Sequence, residues 1–163
     1  MDPEPLIRGL LPADVETLVR LVEATEVFRE SEVAIARELA EAAASQGEEP
    51  SGYHFRVLDE GGGVRGYACF GPTPGTEGTW DLYWIVTDPA WQGRGLASRL
   101  LRAVEEAVAA QGARLLVAET SDTDLYDQAR AFYLARGFRA EAHIPDFYKP
   151  GDGKLFFVKR MER

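Results

Sequence analysis

The sequence predicts a mixed α/β domain built on one central sheet of about six to seven strands, flanked by about four helices. Three features of the pattern predict it: two amphipathic helices early, strand alternating with helix later, and two strand runs at the end. Elements in that order pack in layers around a single sheet. A length of 163 residues supports one domain over 1–163 with a core of ordinary size. Hydrophobic residues at 45% and charged residues at 28% belong to a folded chain rather than a disordered one.

Leu6-Ile7-Arg8 reads as a short strand. A helix opens at Pro12-Ala13-Asp14, because proline suits the first helical turn and an acidic side chain complements the helix dipole there. Val15, Leu18, Val19 and Val22 then recur at helical spacing. A second helix is predicted over Ser31 to Ala44, with Val33, Ile35, Ala36, Leu39 and Ala40 as its apolar positions, and Ser45 to Gly52 reads as a long loop. Tyr53 to Leu58 and Val64 to Phe70 flank Gly61-Gly62-Gly63 as a hairpin. Gly61, Gly63 and Gly66 also spell the dinucleotide pattern G-x-G-x-x-G. That motif works only between a strand and a helix N-terminus, whereas here it joins strand to strand.

Thr79 to Val86 forms the next strand, and alternation puts Asp81, Tyr83 and Ile85 on one face and Trp80, Leu82, Trp84 and Val86 on the other. The strongest helix runs from Gly95 to Gln111, with Leu96, Leu100, Leu101, Val104 and Val108 as its stripe and Gly112 as its stop. Arg114 to Glu119 is a nearly continuous apolar strand, and Asp127 to Arg136 is a helix ending at Gly137. Phe138 to His143 and Lys154 to Met161 are the last strands. The stretch His143 to Gly153 between them reads as a loop rich in aromatic, proline and acidic residues, suited either to lining a pocket or to a packed connection.

Charge narrows the function. Asp and Glu number 27 against 18 Lys and Arg, for a net charge of −9. That argues against nucleic acid or an anionic membrane held by bulk charge, both of which need clustered cations. It leaves room for a local anion site. Cys69 is the only cysteine, so no intramolecular disulfide or cysteine metal site is expected, and His54 and His143 show no metal spacing. No apolar run approaches 18 residues, and Met1-Asp2-Pro3-Glu4-Pro5 is acidic and proline-broken, unlike a secretory leader. A cytoplasmic location is the expectation.

The segment richest in chemistry is Val86-Thr87-Asp88-Pro89-Ala90-Trp91-Gln92-Gly93-Arg94-Gly95-Leu96-Ala97, a strand, an Asp-Pro turn and a glycine loop emptying into a helix. Gly93 and Gly95 allow a ligand close approach to the backbone. The unpaired N–H groups of the helix start cradle phosphate oxygens, and Arg94 adds a fixed positive charge. No Gly-Lys-Ser/Thr follows, which excludes a P-loop.

Gln92-Gly93-Arg94-Gly95-Leu96-Ala97 resembles the Q/R-x-x-G-x-G/A pyrophosphate loop of the GNAT superfamily of N-acetyltransferases. About 40 residues on, Ala129-Arg130-Ala131-Phe132-Tyr133-Leu134-Ala135-Arg136-Gly137-Phe138 resembles the family's second signature, A-x-x-F-Y-x-x-x-G-F. The resemblance covers about residues 5–161. It implies the GNAT acyl-CoA N-acyltransferase fold, acetyl-CoA as donor, no metal, and a primary amine of a small molecule or peptide as acceptor. It also implies that main-chain groups of Ile85, Val86 and Thr87 pair with the pantetheine arm, with the N–H near Ile85 donating to the thioester carbonyl. The pyrophosphate then rests on the backbone of Gln92, Gly93, Arg94, Gly95, Leu96, Ala97 and Ser98.

Tyr133 matches the family's proton donor to the departing thiolate, a role open to a phenol protonated at neutral pH. A core aromatic of an amphipathic helix is the rival reading. The attacking amine must lose a proton, and the acceptors that stand open are Asp81, eleven residues before Gln92 where some relatives carry a carboxylate base; Glu119, at the end of the next strand; or a relayed water, with His54 and His143 read first as structural or exposed. The family often places asparagine where Tyr126 stands here, and Ser121-Asp122-Thr123-Asp124 reads as a short insertion before it. Tyr126 or Arg130 is the substitute in cofactor contact. A non-catalytic acyl-CoA-binding or sensor domain on the same fold is the alternative reading. Many relatives pair as dimers, and no residue pattern here specifies one. The carboxylate surplus, if part of it lines the acceptor side, favours a cationic amine.

Overall fold

The structure, a computed structural model, describes residues 5–162. Residues 1–4, on which part of the argument against a leader rests, lie outside the described residues. Its strands are β1 (Leu6–Arg8), β2 (His54–Glu60), β3 (Gly63–Pro72), β4 (Thr79–Thr87), β5 (Leu115–Ser121), β6 (Arg139–Lys149) and β7 (Asp152–Arg160). Its α-helices are α1 (Val15–Ala24), α2 (Glu30–Gln46), α3 (Glu48–Ser51), α4 (Leu96–Ala110) and α5 (Asp127–Ala135). The strands form one mixed sheet in the order β1-β2-β3-β4-β5-β7-β6, as the predicted fold class requires. The chain divides into two compact units, Met1–Gly71 with Trp84–Ala107 and Pro72–Tyr83 with Val108–Arg163, the boundaries falling inside β4 and α4.

In the first unit β1 pairs antiparallel with β2, and Arg8 ties the chain to Asp14 (2.7 Å) and Asp59 (3.3 Å). Asp14 is buried, and it bears a charge there because the guanidinium and the Leu11 N–H (2.7 Å) both serve its carboxylate. Those partners outweigh burial and hold its pKa below the usual aspartate value. Val15, Leu18, Val19, Leu21 and Val22 form the buried stripe of α1, while Ala36, Leu39, Ala40 and Ala43 bury the face of α2. Ile35 departs from expectation and is largely exposed. Ser45 to Gly52 is not a loop. Helix α2 continues to Gln46, Gly47 at φ +88° interrupts it, and α3 fills the rest until Gly52 at φ +77°. The turn is useful because Glu48 on α3 accepts the Phe55 N–H (3.0 Å) and lies 3.2 Å from His54 Nδ1, pinning the start of β2. The β2–β3 hairpin pairs Glu60 with Gly63, and Gly61 and Gly62 between them both take positive φ, as a tight two-residue turn of this kind requires.

In the second unit β4 and β5 run parallel from Thr79↔Leu115 to Leu82↔Ala118, and β5 pairs antiparallel with β7 along its whole length. Gly112 (φ +77°) and Gly137 (φ +90°) end α4 and α5 as the sequence predicts. His143 to Gly153 is neither a loop nor a packed connection. Strand β6 continues through it to Lys149 and turns at Pro150-Gly151 into β7, a long hairpin interrupted between Ile144 and Lys149. Asp146 breaks the strand at φ +56°, and its carboxylate accepts the Gly151 N–H at 2.7 Å. Every residue of β6 is exposed, the mark of an edge strand.

Candidate active site

The glycine loop lies in the first unit and is built from several anchors. At the end of β4 the Asp88 N–H donates to Arg65 O (2.8 Å), and the Asp88 carboxylate caps the next turn by accepting the Ala90 N–H (3.0 Å). Trp91 follows, with the guanidinium groups of Arg65 (4.4 Å) and Arg94 (4.2 Å) stacked over its ring. A Cβ on Gly61 would come within 3.0 Å of this indole, so the hairpin turn needs glycine for contact as well as conformation. Gly93 (φ +79°) and Gly95 (φ +73°) then turn the backbone into α4, and a side chain built on either would meet open space. Gln92 to Gly95 are exposed, and the Gly95 carbonyl receives the helical bond from the Arg99 N–H. The N–H groups of Leu96, Ala97 and Ser98 therefore stand ahead of the helical ladder, as in any first turn. A helix N-terminus, two exposed and unobstructed glycines and one guanidinium fit a pyrophosphate.

Gly66 positions the end of β4. A Cβ there would lie 2.8 Å from Val86 O, 3.1 Å from Leu100 Cδ1 and 3.3 Å from Thr87 Cγ2. This glycine, part of the rejected dinucleotide match, serves close approach of β3 to the β4 terminus. Ile85, Val86 and Thr87 lie beyond the stretch of β4 that pairs with β5.

The second unit holds the candidate proton acceptors. Asp81 stands opposite Val117 in the β4–β5 register, and Glu119 is two residues further along β5, so both carboxylates share one face. Asp81 is half-buried, and Thr73 Oγ1 donates to its Oδ2 at 2.8 Å. Loss of water pushes its pKa up, the threonine hydrogen bond opposes this, and the charge of Glu119 adds to the rise; the net shift is upward. Glu119 itself is exposed and paired, its Oε2 lying 2.9 Å from Lys154 Nζ. Lys154 is buried, its ammonium 3.9 Å from the Phe147 ring centroid, 5.3 Å from Tyr148 and 5.5 Å from Phe156.

Tyr133 on α5 is buried among Phe132, Phe138 and Phe157, with ring centroids 5.6, 5.2 and 5.8 Å away, and burial pushes its pKa up to about 12. Its proton is therefore secure at neutral pH. Arg130 is engaged in the fold: Nη1 donates to Ser121 O (2.8 Å) and Thr123 O (2.7 Å), and Nη2 bonds Asp127. The Ser121 to Asp124 segment is organised by Asp122, which accepts the Gly153 N–H (2.8 Å) and bonds His143 Nε2 (2.8 Å), while Tyr126 ends the turn before α5. Cys69 is fully buried. Among the described residues no group of His, Cys, Asp and Glu could hold a metal, and no helix is long and apolar enough to cross a membrane.

Sequence reasoning missed Thr73, Lys154, Arg65 and Trp91. The Asp-Pro-x-Trp run was a cue for the indole. Thr73 and Lys154 had none: Thr73 meets Asp81 across the turn into β4, and Lys154 meets a carboxylate 35 residues away.

A mixed sheet whose fourth strand feeds a glycine loop and helix is the architecture of acyl-group transferases acting from coenzyme A thioesters. The profile of the Acetyltransferase (GNAT) family matches residues 18–138, and the chain belongs to that family. A crystal structure from Desulfovibrio desulfuricans, assigned to the same family, superposes with a TM-score of 0.90 at 41% identity, covering 97% of this chain and 99% of that one. An uncharacterized Mycobacterium leprae protein is 31% identical over 99% of this chain, which spans only 42% of that relative's length. A Salmonella typhimurium structure with its cofactor acetyl-CoA superposes at TM-score 0.78 and 20% identity, covering 99% and 96% of the two chains, a likeness of fold alone.

Proposed function

We propose that this chain is an acetyl-CoA-dependent N-acetyltransferase, one domain over 1–163, that acetylates a primary amine of a small molecule or peptide without a covalent acyl-enzyme. The observation that carries the reading is Asp81, a half-buried carboxylate of raised pKa on the strand that opens into the glycine loop. Acetyl-CoA, when bound, supplies the acetyl thioester. The amides from Gln92 to Ser98 and the Arg94 guanidinium hold its pyrophosphate, and the main chain of Ile85, Val86 and Thr87 holds its pantetheine arm. The Ile85 N–H stabilises the oxyanion that develops as the amine attacks.

Asp81 Oδ2 or Oδ1 accepts the amine proton. Its raised pKa makes it a stronger base than an ordinary aspartate, and the Thr73 hydroxyl orients it. Glu119 raises the basicity of Asp81 and is itself held by Lys154. That ion pair offsets part of the negative charge on this side and weakens the argument for a cationic acceptor. The buried Tyr133 hydroxyl protonates the departing thiolate.

Release of free thiol from acetyl-CoA, measured over a panel of primary amines, tests the activity. Acetyl-CoA binding with no thiol release by any amine establishes the sensor reading instead. In the same assay Tyr133→Phe is expected to lower kcat about tenfold with a smaller change in the acetyl-CoA Kd; a full-rate variant removes Tyr133 from the chemistry.

A further inference from the structure

The first unit carries an open hollow of about 650 Å³ away from the groups discussed so far, between the β1–β2 edge and α4. Its lining among the described residues includes Ile7, Arg56, Arg99, Arg102, Ala103 and Glu106, three arginines and one carboxylate. The volume is that of a small-molecule site, for which about 300–1,000 Å³ is usual.

Two of the three, Arg99 and Arg102, differ from most of the chain's arginines. Elsewhere Arg8 pairs with Asp14, Arg37 with Glu16, Arg65 with Asp88 and Arg160 with Glu141, and Arg114 donates to a carbonyl. Among the described residues the side chains of Arg99 and Arg102 make no hydrogen bond or ion pair, although acidic groups outnumber basic ones 27 to 18. One helical turn apart, they add their positive fields over a concave surface, where field lines concentrate. Arg56 completes the set from β2 and is fixed, its Nη1 donating to Phe55 O at 2.7 Å and lying 3.4 Å from Glu48 Oε1. Ile7 and Ala103 supply an apolar floor between these charges. The guanidinium fork matches the oxygens of a phosphate better than a point charge would.

We propose that this hollow binds a phosphorylated small molecule, with the phosphate on Arg99 and Arg102 and an apolar part against Ile7 and Ala103. It is a second anion site, separate from the glycine loop. At about 1.5 Å of rise per residue, Arg102 lies roughly 10 Å along α4 from Gly95.

Phenyl phosphate and inorganic phosphate are the probes, titrated by calorimetry at low ionic strength into the full chain and its variants. Saturable binding is expected, tighter for phenyl phosphate because of its ring. Arg99→Glu/Arg102→Glu should weaken it at least about tenfold, and Arg99→Gln/Arg102→Gln by less, while Arg94→Glu leaves it within about twofold. Both positions are exposed, so the variants should melt as the parent does. No saturable binding overturns the proposal. So does loss of affinity in Arg94→Glu with retention in Arg99→Glu/Arg102→Glu, or displacement of the probe by coenzyme A, since each places the anion at the loop.

Discussion

The glycine loop and the Asp81–Glu119–Lys154 cluster are built in opposite physical ways. The loop is a backbone device. Its peptide groups are fixed by φ at Gly93 and Gly95, and its supports are partly local, Asp88 on Ala90 and Arg94 on Trp91, and partly from the β2–β3 hairpin through Arg65. The cluster is a side-chain device whose members come from residues 73, 81, 119 and 154 and meet only when β4, β5 and β7 pair. A backbone site tolerates many side chains but few changes of conformation. A side-chain site tolerates nothing at its reacting atom and much around it.

The comparison predicts that the cluster breaks first at its centre. Asp81→Asn keeps the shape and the Thr73 contact but removes the base, and kcat/KM is expected to fall about a hundredfold to ten-thousandfold with acetyl-CoA binding nearly unchanged. An equal fall in binding and turnover would move the base elsewhere. At the loop the side chain proposed to take a direct part is Arg94. Arg94→Glu should weaken coenzyme A binding roughly tenfold to a hundredfold by calorimetry, with kcat at saturation much less affected, because a charge-assisted hydrogen bond contributes about 1.5–3 kcal/mol. The same reversal at exposed Arg20 should leave binding alone.

Gly66 tests the claim that the loop depends on backbone placement. Gly66→Ala puts a methyl group 2.8 Å from Val86 O in a packed region and should cost about 1–3 kcal/mol. A melting temperature lowered by several degrees is the expected reading, together with weaker coenzyme A binding from a displaced β4 end. Unchanged melting would mean that β3 and β4 part freely there.

The smallest effects lie in pH dependence. As the proposed base, Asp81 must be ionised to act, and its pKa is raised, so the acid limb of kcat/KM should fall above the ordinary aspartate range. Glu119→Gln removes one cause and shifts the limb down, Thr73→Ala removes the opposing hydrogen bond and shifts it up, and Lys154→Met shifts it up by leaving the Glu119 charge uncompensated. Stability follows the same sign. A carboxylate whose folded pKa exceeds its unfolded value favours folding only while protonated, and that contribution is lost as pH rises from the unfolded pKa through the raised folded one. Asp81→Asn should therefore melt no lower than the parent at neutral pH, the opposite of its effect on rate.

Loop and cluster also differ in how far they can be read from sequence. Leu96, Leu100, Leu101, Val104 and Val108 announce α4 by period, and Gly93 and Gly95 announce the turn by residue type. The errors came where local pattern and tertiary pairing disagree. The polar run from Ser45 to Gly52 folds into a helical turn because Glu48 finds Phe55 and His54. The proline-bearing stretch from His143 to Gly153 stays extended because β7 offers it partners, with Asp146 and Gly151 closing the irregularity. Tyr133 was readable as a motif member; its burial among three phenylalanines was not.

By itself the sequence determined the fold class, the helix stops at Gly112 and Gly137 and the glycine loop before α4, since each is written in spacings of a few residues and in the conformational freedom of particular residue types. Tertiary structure alone decided which carboxylate is half-buried with a raised pKa and which is exposed in an ion pair. Asp81 and Glu119 are both acids near the ends of strands. Burial and a threonine at one, and a lysine brought from a strand 35 residues away at the other, separate them. Such differences in solvation and partner arise only when the sheet assembles.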